Sequence, residues 1–510
     1  MARTPLAAAV EEAVAKIADD GMKTTRRKFL TGAGATVVGA SLFGRLAGPA
    51  TAAPPPPGTR IAVVGAGLAG LTCAYRLQQA GYAAQVFEAS ARIGGRCWTG
   101  RGDFGDGQIY EHGGELIDNG HIDMKQLANE LGFTLDNLLQ AETNGTEQLG
   151  YFFGKPYTAA QMAGDLKGIW QQVHSDVSAA SYPTVYNLST TRGQQLDQMS
   201  LFQWIENYVP GGHNSQLGQL LDVAYNIEYG GESKVQSSLN MLYLLGYVGP
   251  GQFRTFGKSN EKFHVRGGND QVTAALAAKI ASQITLSTPL TAIKVSGDGT
   301  YTLTFANGTG SFTKIVDHVV LTLPFAVLRT VDFSRAGFNQ VKTWAINELG
   351  MGTNSKLHLQ FNSRFWRSAG LNGETYSDRG YQNTWEVSRS QSGASGVLVN
   401  YTGGTPGTNA GKGTPEQAAT SFLRQVEPVL PGATAQWNGK VVRDYWTDYP
   451  WTQGSYSYWK VGQYTRFSGA EKEQSGNCHF AGEHTSQDFQ GYLQGAVETG
   501  QRAATEILRP

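Results

Sequence analysis

Three glycines, Gly65, Gly67 and Gly70, have the spacing of a turn that binds phosphate groups. The first glycine permits a tight turn, the second lets the backbone approach a pyrophosphate, and the third lets a helix pack closely against a strand. A helix that begins at such a turn directs unpaired N–H groups and its positive dipole end at the phosphates. Glu88 lies about 20 residues further on, where a carboxylate can bind a ribose hydroxyl. The pattern predicts a dinucleotide site.

The residues around these glycines predict a strand, a turn, a helix and a second strand. Ile61–Val64 is an unbroken apolar run, as expected of a strand buried in a parallel sheet. Helical patterning follows over 71–79, and 85–88 is the next predicted strand, with Glu88 at its end. Glycine-rich turns are common on their own, so this context is what favours a nucleotide-binding βαβ unit.

The composition excludes several classes of function. A chain of 510 residues with 40% apolar content is long enough for one or two large domains with a buried core. Lys plus Arg and Asp plus Glu each number 41, and no long basic run occurs, so nucleic-acid binding has no electrostatic support. Cys73, Cys97 and Cys478 are too few for a disulfide framework and lack metal-ligand spacing, so no metal is expected.

Segment 1–53 is predicted to be an export leader. Residues 24–30 read TTRRKFL, a weakly apolar stretch follows to about Gly44, and the Ala-Thr-Ala at 50–52 has the small residues of a cleavage site. The apolar stretch is too short and too rich in glycine for a membrane anchor, which needs about 20 strongly apolar residues. We therefore expect export of the folded protein by the twin-arginine route, to the periplasm or outside the cell, and no membrane span.

Further motifs resemble those of the flavin-containing amine oxidase family, which includes monoamine oxidases, polyamine oxidases and L-amino-acid oxidases. The motifs are RIGGR at 92–96, the Gly113-Gly114 turn, VRGGND at 265–270, HFAGEH at 479–484 and GYLQGAV at 491–497. The resemblance covers 60–510 apart from a weakly matching helical middle, about 139–255. It implies an α/β fold in which a Rossmann-like FAD-binding domain is interleaved with an α+β substrate-binding domain.

The same resemblance implies how the two domains alternate along the chain. The FAD-binding domain would take 59–138, 256–330 and 440–510, and the substrate-binding domain would take 139–255 and 331–439. Helical patterning at 201–208 and 216–225, and strand-like alternation at 355–361, fit this division.

The resemblance also implies non-covalent FAD, bound by residues spread along the chain. They are Gly65, Gly67, Gly70, Glu88, Arg96, Gly113, Gly114, Glu115, Gly482, Glu483, Tyr492 and Leu493. The helix that starts at Tyr492 would direct its positive dipole end at the flavin edge where negative charge develops on reduction. Monoamine oxidases place a flavin-linking cysteine where this chain has Ser455, so no thioether is expected at that position.

Three residues are expected to act in catalysis. Lys356 lies on the polar face of the alternating segment 355–361, where a lysine is ordinarily solvated. Its place before an aromatic pair looks like that of the family's active-site lysine, which holds a water against flavin N5. By the same resemblance, Tyr456 and Tyr492 would flank the substrate amine. Such aromatic side chains exclude water and favour the neutral amine, the form that can release hydride.

The sequence leaves several candidates for the residues that would select the substrate. L-amino-acid oxidases of the snake-venom type carry an arginine shortly after the Gly113-Gly114 turn, whereas this chain continues with Glu115. An amino acid would need another cation, and Arg254 and Arg266 are the candidates. Glu115 or Glu228 could instead bind a second positive charge on a diamine or a basic amino acid, although a structural or solvated role remains the simpler interpretation of each glutamate.

The chain is therefore predicted to be an exported FAD-dependent oxidase of a primary amine or an L-amino acid. Hydride would pass from the α-carbon to flavin N5, the imine would hydrolyse to a carbonyl and ammonia, and oxygen would reoxidise the flavin and yield hydrogen peroxide. The expected partners are the small amine or amino acid and molecular oxygen, with a homo-oligomer left open. The alternatives are a polyamine oxidase, a C–C desaturase of the phytoene or protoporphyrinogen type, and a flavoprotein that binds a partner without turnover.

Replacing both Arg26 and Arg27 with lysine should hold the protein in the cytoplasm, because the export route reads the arginine pair. Cell fractionation measures this, and N-terminal sequencing of the exported wild-type protein should find cleavage after Ala52. Lys28→Arg, which keeps the arginine pair, is the matched control and should be exported normally. Normal export of the double lysine variant would refute the leader.

Overall fold

The computed structural model describes residues 56–249 and 255–509. The predicted leader and Arg254 lie outside the described residues, so both stay predictions. Among the helices that are described, none combines the length and the apolar character needed to cross a membrane.

The described residues form 22 strands. They are β1 Ile61–Val64, β2 Ala84–Phe87, β3 Thr99–Gly100, β4 Tyr110–Glu111, β5 Leu135–Asn137, β6 Glu147–Phe152, β7 Lys155–Thr158, β8 Phe263–Val265, β9 Ile284–Thr285, β10 Leu290–Val295, β11 Tyr301–Asn307, β12 Gly310–Val316, β13 His318–Leu321, β14 Asp332–Arg335, β15 Gly350–Met351, β16 Ser355–Phe361, β17 Leu371–Ser377, β18 Asn383–Glu386, β19 Gly396–Thr402, β20 Trp437–Tyr445, β21 Ser457–Tyr458 and β22 Cys478–Phe480.

The same parts of the chain form 15 α-helices. They are α1 Leu68–Gln79, α2 Ile122–Glu130, α3 Ala159–Ala180, α4 Thr191–Asp197, α5 Leu201–Tyr208, α6 Gln216–Tyr229, α7 Ser238–Leu245, α8 Asp270–Lys279, α9 Phe325–Leu328, α10 Gln340–Glu348, α11 Gly404–Ala410, α12 Pro415–Val426, α13 Ala433–Gln436, α14 Gln463–Phe467 and α15 Leu493–Leu508.

A five-stranded parallel sheet carries the glycine turn. Its strand order is β22-β13-β1-β2-β9, and each neighbouring pair is parallel. All four residues of β1 are buried, as expected of a central strand in a sheet that is covered on both faces. The predicted strand at Ile61–Val64 is confirmed, and the helix after the turn begins at Leu68, three residues before the predicted segment 71–79.

A seven-stranded mixed sheet holds Lys356. Its order is β20-β16-β19-β18-β17-β6-β7, and β16 runs antiparallel between β20 and β19. Leu357, Leu359 and Phe361 pack into one hydrophobic cluster with residues of α12. Lys356 therefore lies on the opposite face of an inner strand and is buried, which excludes the solvated edge position that is ordinary for a lysine on an alternating strand.

Helices α3 to α7 make up the middle of the chain and contribute to the largest hydrophobic cluster. Local sequence fixes where they begin. Ser200 and Gln203 form a reciprocal capping box at the start of α5, and the Ser215 side chain accepts a hydrogen bond from the first turn of α6. The helices predicted at 201–208 and 216–225 are both present, the second extending to Tyr229.

The two large sheets together confirm the α/β fold class with a parallel nucleotide-binding sheet. The assignment of chain segments to two domains stays a prediction. Strand β20 spans the boundary drawn at 440, because it pairs with β16 through most of its length. Strand β14 lies just after the boundary drawn at 330, in the segment predicted to bind substrate. It pairs with β10, which lies in the segment predicted to bind FAD.

Candidate active site

A cavity of about 270 Å³ is lined by residues from both large sheets. Of the predicted site residues, those on its wall are Gly65, Gly67, Glu88, Arg96, Gly113, Gly114, Glu115, Lys356, Tyr456, Gly482, Glu483, Tyr492 and Leu493. Gly70 is the one that does not line it. Residues that are separated by several hundred positions in the sequence therefore meet around a single space.

The three glycines of the turn have different physical roles. Gly65 has a φ of +108°, a conformation that favours glycine. A Cβ on Gly70 would lie 2.0 Å from the Gly65 carbonyl oxygen, so helix α1 can approach the turn this closely only without a side chain there. A Cβ on Gly67 would meet no atom within 4 Å, and Gly67 faces the cavity at the start of α1.

Glu88 is buried on the cavity wall at the end of β2. Its Oε2 accepts a hydrogen bond from the Ala66 amide at 2.7 Å, and its Oε1 accepts one from the Ser90 amide at 2.9 Å. These bonds tie the carboxylate to the glycine turn. Each oxygen keeps a second acceptor site, so the carboxylate can still bind a hydroxyl group.

Arg96 and Glu483 form an ion pair, with Arg96 Nη1 2.8 Å from Glu483 Oε1. Arg96 also donates to the Ser455 carbonyl at 2.7 Å, and Glu483 accepts from Ser457 Oγ at 2.8 Å and from the Gly491 amide at 2.9 Å. Burial would raise the pKa of Glu483, but the Arg96 charge beside it holds that pKa below its ordinary value. The pair fixes three loops around the cavity.

The Gly113-Gly114 turn packs without room for side chains. A Cβ on Gly113 would lie 2.1 Å from the Arg96 carbonyl oxygen, and one on Gly114 would lie 2.7 Å from Cδ2 of Leu493. Leu493 is the first residue of α15, whose unpaired N-terminal amides and positive dipole end therefore face the cavity.

Lys356 reaches across the cavity wall to the segment that follows β4. Its Nζ donates to the carbonyl oxygens of Glu111 and Gly113 at 3.0 and 2.9 Å, and to Oε2 of Glu115 at 2.7 Å. Trp385 Nε1 donates to the other Glu115 oxygen at 3.0 Å. Burial would raise the pKa of Glu115, yet the Lys356 ammonium keeps that pKa below its ordinary value.

Tyr456 and Tyr492 both line the cavity and donate to fixed acceptors. Tyr456 Oη donates to the Ile227 carbonyl at 2.8 Å and lies 2.7 Å from Tyr401 Oη, while Tyr492 Oη donates to Glu228. Burial raises the pKa of both phenols well above the ordinary value. Both tyrosines therefore stay neutral near pH 7, which excludes them as phenolate bases.

The residues that were considered for substrate selection, Glu115, Glu228 and Arg266, lie in different surroundings. Both oxygens of Glu115 are bonded to Lys356 and Trp385, whereas Glu228 lines the cavity with Tyr492. Arg266 is exposed, pairs with Asp136 at 2.7 Å and is not among the cavity residues, which argues against it as a carboxylate ligand.

Glu261, Trp385 and Tyr401 are among the lining residues that were not predicted from the sequence. Trp385 and Tyr401 lie on neighbouring strands, and their rings make an edge contact at 5.1 Å between centroids. Tyr401 follows an apolar–polar alternation at 399–402, whereas the four residues of β18 show none that would single out Trp385. Glu261 lies in a connecting segment with no regular pattern, so nothing in the sequence singled it out.

The sequence pattern of the family described as "Flavin containing amine oxidoreductase" matches residues 68–508, most of the chain. The chain belongs to this family. Oxidation of an amine with a bound flavin is thus its general activity, and FAD is the expected cofactor.

Individual relatives agree along nearly the whole length. YobN of Bacillus subtilis (strain 168), provisionally named an L-amino-acid oxidase, is 26% identical over 88% of this chain and 94% of its own. Among solved structures, cyclohexylamine oxidase from Brevibacterium oxydans IH-35A has a TM-score of 0.76 at 21% identity, covering 89% of this chain and 99% of its own. Wild-type putrescine oxidase bound to putrescine has a TM-score of 0.75 at 20% identity, with the same coverage. At these identities the structural likeness establishes the fold.

The cavity residues of this flavin-containing oxidoreductase fit FAD. The open space beside Gly67 and the start of α1 suit a pyrophosphate, Glu88 suits a ribose hydroxyl, and the start of α15 suits a flavin that gains negative charge on reduction. Ser455 is fixed by a 2.6 Å hydrogen bond to Asn354 and has no thiol, so no thioether can form at this position.

Alanine substitutions at Gly67 and Gly70 should separate cofactor binding from folding. Gly70→Ala places a methyl group against the Gly65 carbonyl and should lower the stability of the FAD-free protein by about 1–3 kcal/mol. Gly67→Ala meets no protein atom and should change that stability by less than about 0.5 kcal/mol, while weakening FAD binding at least tenfold. Thermal unfolding of the FAD-free protein and FAD titration measure the two effects. Equal loss of FAD-free stability in both variants would contradict this assignment.

Proposed function

We propose that the protein oxidises a primary amine in preference to an L-amino acid, and favours an amine with a second positive charge. The products would be an imine, hydrolysed to a carbonyl compound and ammonia, and hydrogen peroxide. We also propose that the enzyme works after export by the twin-arginine route. The observation that carries the substrate proposal is the balance of charges on the cavity wall.

Two cations line the cavity within the described part of the chain, Arg96 and Lys356. Arg96 is paired with Glu483 and Lys356 with Glu115, so neither offers a free positive charge to a substrate carboxylate. An L-amino acid would therefore bring its carboxylate into the cavity without a cation to receive it, which is unfavourable in a buried site.

Two further carboxylates, Glu228 and Glu261, line the same cavity. Burial, reinforced by Glu374, Asp118 and Glu228, raises the pKa of Glu261 well above its ordinary value, whereas Arg389 lowers it. The raised pKa favours the neutral form of Glu261 itself, while the part of the shift caused by other acidic residues indicates a negative potential at this position. A bound cation is stabilised by such a potential, and an anion is repelled.

The aromatic residues support an amine as the reacting group. Tyr456, Tyr492, Tyr401 and Trp385 all line the cavity, where they exclude water and disfavour a charged ammonium at the reacting carbon. FAD, when bound, supplies the two-electron acceptor for the α-carbon hydride and passes the electrons to oxygen. The protein's own part is to orient the amine, keep it dry and hold Lys356 in place.

The relatives' names support both substrate classes. Putrescine oxidase and cyclohexylamine oxidase favour an amine, while YobN favours an L-amino acid. An L-amino acid remains the second candidate, and it would require a carboxylate ligand outside the described residues, such as Arg254.

Four compounds separate these candidates, because they differ only in a second amine and a carboxylate. They are pentylamine, 1,5-diaminopentane, L-norleucine and L-lysine. Adding the carboxylate, from pentylamine to L-norleucine or from 1,5-diaminopentane to L-lysine, should lower kcat/KM for oxygen uptake at least tenfold. Adding the second amine, from pentylamine to 1,5-diaminopentane, should raise kcat/KM at least tenfold. A preference for L-norleucine over pentylamine would overturn the proposal, and loss of that preference in Arg254→Ala would identify the carboxylate ligand.

Glu228→Gln should weaken the interaction with the second amine. Loss of a charge-assisted contact costs about 1.5–3 kcal/mol, so kcat/KM for 1,5-diaminopentane should fall at least tenfold. Activity with pentylamine is the internal control and should change by less than about threefold. Equal losses with both amines would mean that Glu228 supports Tyr492 and does not bind substrate.

A further inference from the structure

The Lys356 ammonium is fully bonded to the protein. An ammonium has three N–H donors and no acceptor. Three acceptors lie within 3.0 Å of Nζ: the carbonyl oxygens of Glu111 and Gly113 and the Glu115 carboxylate. Each N–H of the ammonium therefore has an acceptor from the protein in this arrangement.

Glu115 is itself held in place. One oxygen accepts from Lys356 and the other from Trp385 Nε1, and the ammonium also lies 5.7 Å from the centre of a Trp385 ring. The Lys356 and Glu115 side chains are 7% and 8% exposed. Two opposite charges at 2.7 Å, shielded from water and each held by further hydrogen bonds, form a rigid pair.

We propose that Glu115 is a positioning residue that holds Lys356 as a fixed ammonium, so that the pair meets the flavin with balanced charge. The proposal concerns the FAD site and rests on neither substrate candidate. It assigns a role to a carboxylate that follows the Gly113-Gly114 turn in this chain.

The charges of Glu115 and Lys356 should affect how easily FAD is reduced even when no substrate is bound. Two-electron reduction of FAD adds negative charge, which a nearby cation stabilises and a nearby anion destabilises. Removing the charge of Glu115 alone should therefore favour reduced FAD, and removing the charge of Lys356 alone should disfavour it. Removing both should leave the balance nearly unchanged.

The test is an anaerobic redox titration of the FAD-loaded protein against a reference dye, without amine or amino acid. Glu115→Gln should raise the equilibrium constant for FAD reduction at least tenfold, which is about 30 mV for a two-electron couple. Lys356→Met should lower it at least tenfold. The equilibrium constant of the double variant should lie within about threefold of the wild-type value. General damage to the site would not restore that value.

One control isolates the charge. Glu130→Gln removes a charge from a residue that pairs with Arg76 and does not line the cavity. It should change the equilibrium constant by less than about threefold. Lys356→Met leaves a buried carboxylate unpaired and can unfold the protein. The decisive result is therefore the equilibrium constant for FAD reduction in Glu115→Gln. An equilibrium constant unchanged or lowered in Glu115→Gln would overturn the proposal, whatever substrate the enzyme proves to use.

Discussion

The buried ammonium of Lys356 links the seven-stranded sheet to the segment around the Gly113-Gly114 turn. Lys356 projects from the seven-stranded sheet, and its three hydrogen bonds end on Glu111, the last residue of β4, and on Gly113 and Glu115 just after it. The same short segment packs against Arg96 through Gly113 and against Leu493 through Gly114. Removing one partner of a buried ion pair typically costs about 3–5 kcal/mol, so the contact constrains the position of β16 relative to residues 111–115.

The charges of the site follow from this arrangement. At the cofactor end, amides at the start of α1 and α15 face the cavity, and Arg96 is neutralised by Glu483. At the substrate end, Lys356 is neutralised by Glu115, and Glu228 and Glu261 remain on the wall. In the function proposed here, the first side would hold the anionic dinucleotide and the second side would hold a cationic amine.

Local sequence patterns predicted the elements, because each depends on residues close together in the chain. The strand at Ile61–Val64, the strand at Ser355–Phe361 and the C-terminal helix are all present where the periodicity indicated them. Fourteen different residues were predicted to bind FAD or to act in catalysis, and thirteen of them line the cavity. Patterns in neighbouring residues could not indicate that such distant segments meet. The motif resemblance connected them.

What the sequence could not predict depends on contacts between distant segments. Glu115 and Lys356 are 241 residues apart, and no pattern in either segment indicates that they pair. Trp385 enters the site only because β18 lies beside β19 in the seven-stranded sheet, and Glu261 lies in an irregular connection. The extent of β20 is likewise decided by its pairing with β16, which continues past the predicted boundary.

Stopped-flow measurements on Lys356→Met test whether amine oxidation takes place in this cavity beside Lys356. They follow flavin bleaching by an amine and flavin recovery with oxygen. Loss of a preorganised charge at a reacting group costs about 10²–10³-fold in rate, so at least one of the two steps should slow by that factor while FAD stays bound. Wild-type rates in both steps would remove Lys356 from the active site and contradict the account.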